Sequence, residues 1–198
     1  MPRLTVRDFE LDDLEPAGVL LAARQKRDRV RLPMLSVGLE SPTACTQLLE
    51  PLLRSPRSAG VVALNGSTLV GFLFGEKMTL APNELAAMFF APHSISMPIH
   101  GHAAAETSDA TAVYRALYGE LAGRWARNGF FVHMTHITPG DPELQEAWVA
   151  LGFGRGNTCA VRDTSPVSGF APAKVDIHQA SPEDLGVVMA LNDALYAF

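Results

Sequence analysis

The chain has 198 residues, of which 47% are hydrophobic and 19% are charged, and its formal net charge is −5. This composition is typical of a globular protein and does not indicate a nucleic-acid surface, which would need clustered lysine and arginine. Only two cysteines occur, so neither a disulfide scaffold nor a cysteine-rich zinc site is indicated. The amino terminus lacks a signal-peptide segment, and no apolar run reaches the ~20 residues that span a bilayer. We therefore expect a soluble, cytoplasmic protein with no nucleic-acid or membrane partner.

The first part of the chain predicts a strand, two helices and a hairpin. Residues 3–9 alternate as a strand does, and residues 11–30 have the spacing of a helix with acidic residues in its first turn. A second helix is predicted over 42–53. Two apolar runs then flank Asn65-Gly66, a dipeptide that is typical of a type I′ hairpin turn with positive φ at both central residues.

Strands alternate with helices after the hairpin. A strand within 94–106 is expected to break near Pro98 and Gly101. The helix predicted over 110–129 is the clearest in the chain and ends at Gly129, a residue suited to the left-handed conformation after a helix end. Its apolar stripe has helical spacing and consists of Val113, Leu117, Leu121 and Trp125.

A strand over 130–137, a helix that opens at Asp141 and a last strand over 159–163 complete this part of the chain. Helices that follow an antiparallel hairpin and alternate with strands predict an α+β fold in three layers, with helices covering a mixed sheet. Residues 164–173 are rich in Pro, Ser and Gly and are interpreted as a linker.

The chain then resumes with a segment that repeats its own start. A strand-like stretch is followed by Ser181, a predicted helix N-cap, and by Asp184 in the third-residue place of a capping box. The matched pairs, each 171 residues apart, are Val6 and Ile177, Asp12 and Glu183, Asp13 and Asp184, Leu14 and Leu185, and Leu20 and Leu191. A constant offset indicates a repeat of domain size, although capped acidic helix starts are common enough to match by chance.

Three stretches carry a resemblance to a known family: the hairpin sequence VVALNGSTLVGFLFG, the passage LYGELAGRWARNGFFVHM, and EAWVALGFGR with its Gly152-Phe153 pair. In this order they resemble the GNAT superfamily of acetyl-CoA-dependent N-acetyltransferases over about residues 3–163. More narrowly, the chain resembles the N-terminal half of tandem-domain bacterial members. The resemblance implies a GNAT-like domain over 1–163, a linker over 164–173, and the truncated start of a second such domain over 174–198.

The resemblance also implies what such a domain does. The mostly antiparallel sheet splays two neighbouring strands, acetyl-CoA lies between them, and the next helix N-terminus holds the pyrophosphate. A small-molecule or peptide amine then attacks the thioester, while a base removes its proton and an acid protonates the leaving thiolate. The positions that would meet the cofactor here are His100, Asp109, Ala110, Thr111, Ala112, Val113, Tyr114, Asp141 and Trp148.

Several of these positions depart from the family pattern. Asp109 stands where Arg or Gln is usual, and Ala112 and Tyr114 stand where the loop has small residues, so that a bulky ring is expected where backbone approaches the phosphates. Asp141 replaces the Asn that usually opens the closing helix. Trp148 replaces the usual Tyr, and an indole N–H cannot act as a general acid near neutral pH.

Two residues are candidates for a catalytic base, Glu106 and His102. A histidine cluster is a second possibility, because His100 and His102 would share one face of a strand and lie near His133 and His136, where they would bind a metal or supply a base. We interpret these histidines instead as unconnected residues at strand ends, since a spacing of three puts the second pair on opposite faces. No metal site is predicted.

The only basic run, residues 24–31, either attracts a CoA phosphate or an acidic partner, or is the solvated end of the first helix, the interpretation we favour. Two functions remain open. One is an N-acetyltransferase that binds acetyl-CoA in this domain or in a second one. The other is a non-catalytic GNAT-like domain that shapes a partner domain or dimerises with it. An apolar helix in residues 175–198 predicts either a homodimer or docking of this segment on the first domain.

Overall fold

The computed structural model describes residues 4–88, 90–106, 109–159 and 178–196. The chain divides into two units, Met1–Arg162 and Asp163–Phe198. The strands of the first unit are β1 (Thr5–Asp8), β2 (Ser58–Asn65), β3 (Thr68–Thr79), β4 (His93–Met97), β5 (His102–Ala104) and β6 (Val132–Thr135). Its α-helices are α1 (Leu14–Arg31), α2 (Pro42–Arg54), α3 (Ala110–Arg127) and α4 (Pro142–Ala150). The last strand predicted from the sequence, over 159–163, and the predicted linker lie almost wholly outside the described residues.

The sheet is mixed and mostly antiparallel, as predicted. Its strands lie in the order β1-β2-β3-β4-β6, with β5 also paired to β3. Among the described strands only the β4–β6 pair is parallel. The chain passes from β4 to β6 by way of β5 and α3, a crossover of the length that parallel neighbours need.

Helices cover both faces of the sheet, because neighbouring residues of a strand point to opposite faces. Val62 and Phe72 lie in the apolar cluster that contains Leu21 of α1 and Leu49 of α2. The next residues in each strand, for example Leu73, belong to the cluster on the other face, beneath α3 and α4. This arrangement confirms the predicted three layers.

The predicted helix boundaries are confirmed at α3 and α4. All four residues of the predicted α3 stripe are buried. Gly129 has φ +82° and Gly152 has φ +90°, the left-handed conformation in which glycine ends a helix. At the start of α4, Asp141 Oδ1 accepts a hydrogen bond from the backbone N–H of Leu144 at 3.0 Å.

The predicted hairpin is present, but its turn differs from the prediction. Asn65 pairs with Thr68, so Gly66 and Ser67 are the central residues. Only Gly66 has positive φ, at +62°, which fits a type II′ turn with glycine first. The type I′ prediction is wrong because the pairing of β2 with β3 places Gly66 and Ser67, rather than Asn65 and Gly66, at the centre of the turn.

The described part of the second unit, residues 178–196, repeats an arrangement found near the start of the first. In the first unit a 3-10 helix, Leu11–Asp13, leads into α1, and the backbone N–H of Glu10 donates to Asp13 Oδ2 at 2.8 Å. In the second, a 3-10 helix, Pro182–Asp184, leads into α5 (Leu185–Tyr196), and the N–H of Ser181 donates to Asp184 Oδ2 at 2.8 Å. Each position lies 171 residues after its counterpart.

In each unit, a side chain that precedes the 3-10 helix approaches the carboxylate of the last residue of that helix. Arg7 donates two hydrogen bonds to the carboxylate of Asp13, at 2.6 and 2.8 Å. The residue 171 positions after Arg7 is His178, whose Nε2 lies 3.5 Å from Asp184 Oδ2. Within the described parts of both units, none of the helices has the length and apolar character needed to cross a membrane.

Candidate cofactor cleft

The sheet splits where β4 ends. β4 and β6 pair from Ser94↔Val132 to Met97↔Thr135. The chain then turns at Pro98, whose carbonyl accepts a hydrogen bond from the N–H of Gly101 at 2.8 Å. After this turn, β5 pairs with β3. The predicted break near Pro98 and Gly101 is thereby confirmed, and the split lies between β5 and the segment after β6.

The side chain of His102 crosses this split. The residue is 0% exposed, and its Nε2 lies 3.0 Å from the carbonyl oxygen of His136, in the segment after β6. Because a carbonyl only accepts hydrogen bonds, Nε2 carries the proton, and the other nitrogen, Nδ1, accepts from the hydroxyl of Tyr114 at 3.1 Å. Both ring nitrogens are therefore engaged within the protein.

The imidazole of His102 is neutral at physiological pH. Burial, followed by the positive charge of Arg24, lowers its pKa to about 3. As a neutral ring with its lone pair directed at Tyr114, His102 has no free acceptor to take a proton from an amine.

Two aromatic side chains fill the space beside His102. The ring centroid of His102 lies 5.6 Å from that of Tyr114 and 5.8 Å from that of Trp148. Tyr114 is 1% exposed and Trp148 is 2% exposed, and burial raises the pKa of the Tyr114 hydroxyl. The structure thus places Tyr114 in the core, rather than over the helix N-terminus where its ring was expected to obstruct a phosphate.

The N-terminus of α3, which the resemblance assigns to pyrophosphate, is capped by the chain itself. Asp109 Oδ1 accepts from the backbone N–H of Ala112 at 3.0 Å, and the carbonyl of Asp109 accepts from Val113. Ala110 and Thr111 are half-buried in the same turn. A carboxylate therefore occupies the position where a phosphate oxygen would bind, and two negative groups in one place repel each other.

Helix α1 connects the two sides of the split. The guanidinium of Arg24 donates to the carbonyl oxygens of His102 and Ile99, on the β5 side. One helical turn later, Asp28 Oδ2 accepts from Thr138 Oγ1 at 2.7 Å, on the β6 side. Arg24 Nε lies 3.7 Å from Asp28 Oδ2, so that a buried ion pair spans the split.

The interpretation of residues 24–31 as a solvated helix end is wrong for three of its members. Arg24 is 4% exposed, Gln25 is 8% exposed and Asp28 is 2% exposed. They continue the row of buried residues on α1 that contains Ala17 and Leu21, since positions three and four apart lie on one helix face. That spacing is the signal in the sequence that identifies them as core residues.

A cavity of about 300 Å³ lies where β5 ends. Glu106 borders it, with a side chain that is 76% exposed and lies 4.0 Å from Arg27. Asp141 borders it from the start of α4. His102, the other predicted base, lies buried in the split. The cavity thus brings together four of the predicted site residues: Glu106, Ala110, Tyr114 and Asp141.

The four histidines do not form one cluster. His100 lies in the turn before β5, so the prediction that it shares a strand face with His102 is wrong. Burial lowers the pKa of His100. His133 receives a hydrogen bond from Tyr118, with 2.8 Å between Nδ1 and the hydroxyl oxygen, and His136 lies beyond β6. Across the described residues, no set of His, Cys, Asp and Glu side chains is arranged to hold a metal ion.

No family model matches the sequence, and no curated protein matches it.

Solved structures do match the chain. A GCN5-related N-acetyltransferase from Ralstonia eutropha JMP134 is 15% identical with a TM-score of 0.57, and the match covers 84% of this chain and 100% of that one. A ribosomal-protein-alanine N-acetyltransferase from Brucella melitensis biovar Abortus 2308 is 12% identical with a TM-score of 0.55, covering 81% and 99%. The aminoglycoside N-acetyltransferase AAC(6′)-Iy, in complex with CoA, is 15% identical with a TM-score of 0.55, covering 83% and 98%. The chain has the fold of the GCN5-related N-acetyltransferases.

Proposed function

We propose that this chain is part of a tandem acetyl-CoA-dependent N-acetyltransferase, and that its first unit is the half that no longer binds acetyl-CoA. This half supports a catalytic domain of the same fold, which begins at about residue 174. The observation that carries the proposal is the side chain of His102, which crosses the split and bonds to the carbonyl of His136 at 3.0 Å.

The residues in the split do not fit an acyl thioester. A cofactor that entered would have to displace three packed rings and break the hydrogen bonds of His102 to His136 and Tyr114, each worth about 1 kcal/mol net. It would also separate carbonyl oxygens from the buried guanidinium of Arg24. The acid normally supplied by a tyrosine is missing, because Trp148 stands in its place and its indole N–H only donates.

The charge at the α3 N-terminus supports the same conclusion. Asp109 caps the helix with its own carboxylate, and Glu106 adds a second negative charge nearby. CoA carries several phosphate charges, so each carboxylate opposes its binding. A GNAT-like domain without these features would present free N–H groups at this position.

The start of the second unit supports the tandem arrangement. The 3-10 helix, the carboxylate that accepts from the N-cap N–H, and the following α-helix recur at a constant offset of 171 residues. Apolar side chains of α5 such as Leu185 and Leu191 are exposed, whereas Leu21 of α1 lies in a buried cluster with side chains of the sheet and of α2. A counterpart of α1 needs a sheet and a second helix to cover it in the same way. The second unit therefore begins a domain that would supply the catalytic half.

Calorimetric titration of acetyl-CoA into this chain tests the proposal, with desulfo-CoA as the control for the thioester. We expect no saturable heat up to about 1 mM ligand, a concentration at which even a weak site with a free energy of about −4 kcal/mol is about half filled. Binding at micromolar strength would contradict the proposal. It would favour instead an enzyme that acetylates an amine in this unit, with Glu106 as the first base to replace.

A further inference from the structure

We infer that the cavity at the end of β5 is a binding site for a small zwitterion that carries one carboxylate and one ammonium group, such as a dipeptide. This inference goes beyond the proposed function, because it assigns a ligand to the first unit itself. The cavity measures about 300 Å³, which is at the lower end of the range for small-molecule sites.

Charges of both signs border the cavity and come from different elements. The cations are Arg24, Arg27 and Arg31, on successive turns of α1, and the carboxylates are Asp28, Glu106, Asp141 and Glu143. Arg24 and Asp28 are buried and already engaged with each other and with the two sides of the split. Two guanidinium groups and three carboxylates are left to meet a ligand.

The partners of the remaining groups leave them available. Arg27 lies 4.0 Å from Glu106, and both side chains are partly or largely exposed, so a ligand can reach both of them. Arg31 donates to the carbonyl of Gly140 through Nη1. A guanidinium group has five N–H donors, so others remain for a ligand. Asp141 uses one oxygen to cap α4 and keeps the other.

This mixture of charges selects among classes of ligand. A dianion would be repelled by the three carboxylates, and a dication would be repelled by the two guanidinium groups, so that for each of them repulsion opposes the attraction. A zwitterion matches both signs, with its carboxylate at Arg27 and Arg31 and its ammonium at Glu106 and Glu143. Apolar side chains that also line the cavity, among them Val30, Ala105 and Leu144, provide contacts for the body of such a molecule.

The test is to titrate L-alanyl-L-alanine into the full chain and to monitor binding by two-dimensional NMR. Succinate, a dianion, and putrescine, a dication, serve as control ligands with charge of one sign. We expect saturable shifts at residues that border the cavity, with Kd of about 1 mM or tighter. We expect succinate and putrescine each to bind at least about tenfold more weakly. Equal binding of either probe, or no saturation by about 20 mM dipeptide, would overturn the inference.

Substitutions separate this site from general surface binding. Arg27→Gln and Glu143→Gln are each expected to weaken dipeptide binding about fivefold or more, since each removes one charge-assisted hydrogen bond. Arg57→Gln, a change of the same kind outside the cavity, should leave binding unchanged, and the spectrum of each variant reports whether it is folded. Unaltered binding in both cavity variants would refute the site.

Discussion

Replacement of Arg24 by methionine is expected to destabilise the first unit by about 3–5 kcal/mol, because it removes one partner of a buried ion pair. The variant leaves the carboxylate of Asp28 buried without its ion-pair partner, and among the described residues Thr138 remains as its side-chain hydrogen-bond donor. It also leaves the carbonyl oxygens of Ile99 and His102 without their donor. The measurement is urea unfolding followed by circular dichroism.

Arg27→Met is the matched control, on the same helix and one turn away. The side chain of Arg27 is 31% exposed and reaches Glu106 only at 4.0 Å, so its loss is expected to cost less than about 1 kcal/mol. If the two variants unfold at the same urea concentration, Arg24 does not hold the two sides of the split together.

Replacement of Trp148 by alanine is expected to cost about 3–5 kcal/mol, the usual range for a large aromatic side chain removed from a core. The indole ring lies against the rings of His102, Tyr114, Tyr118 and Phe153, with centroids 4.9 to 5.9 Å away. The residue is 2% exposed. The cavity left behind would lie beside the split, where the rigid α3 and α4 helices limit its collapse.

The neighbouring residue, Val149, provides the control for Trp148. It lies on the same helix but is 55% exposed, so Val149→Ala is expected to change the unfolding free energy by less than about 0.5 kcal/mol. A loss below about 1 kcal/mol for Trp148→Ala would mean that the aromatic cluster does not stabilise the closed split.

Local signals in the sequence predict the elements well, because they act over a few residues. The spacing of Leu117 and Leu121 predicts α3, Asp141 predicts the start of α4, and Pro98 predicts the break between β4 and β5. The hairpin turn is the one local feature named here that is predicted incorrectly, because its central residues depend on how β2 and β3 pair around the bulge beyond Ala63.

The candidate site is harder to predict, because its contacts join residues far apart in the chain. The hydrogen bond between Arg24 and the carbonyl of Ile99 spans 75 positions, and the one between His102 and His136 spans 34. The charge of residues 24–31 favours a solvated surface, and only the continuation of the buried row from Leu21 indicates otherwise. The burial of Tyr114 depends likewise on the position of α4.

The stability of the folded first unit depends on pH through the protonation of His102. Its pKa in the folded protein, about 3, lies below its ordinary value of 6.5. Between these two values the unfolded chain binds more protons than the folded one, so the stability that His102 contributes decreases as the pH falls below about 6.5.

The most direct test of the closed split is a long-range ¹H–¹⁵N NMR spectrum of the His102 ring, recorded from pH 8 to pH 5 and again with acetyl-CoA. The structure predicts a neutral ring with the proton on Nε2, unchanged over this pH range and unchanged by about 1 mM acetyl-CoA. A ring that titrates near its ordinary pKa, or resonances that shift when the cofactor is added, would contradict the account. The first result would mean that His102 is accessible to solvent, and the second that the split opens to acetyl-CoA.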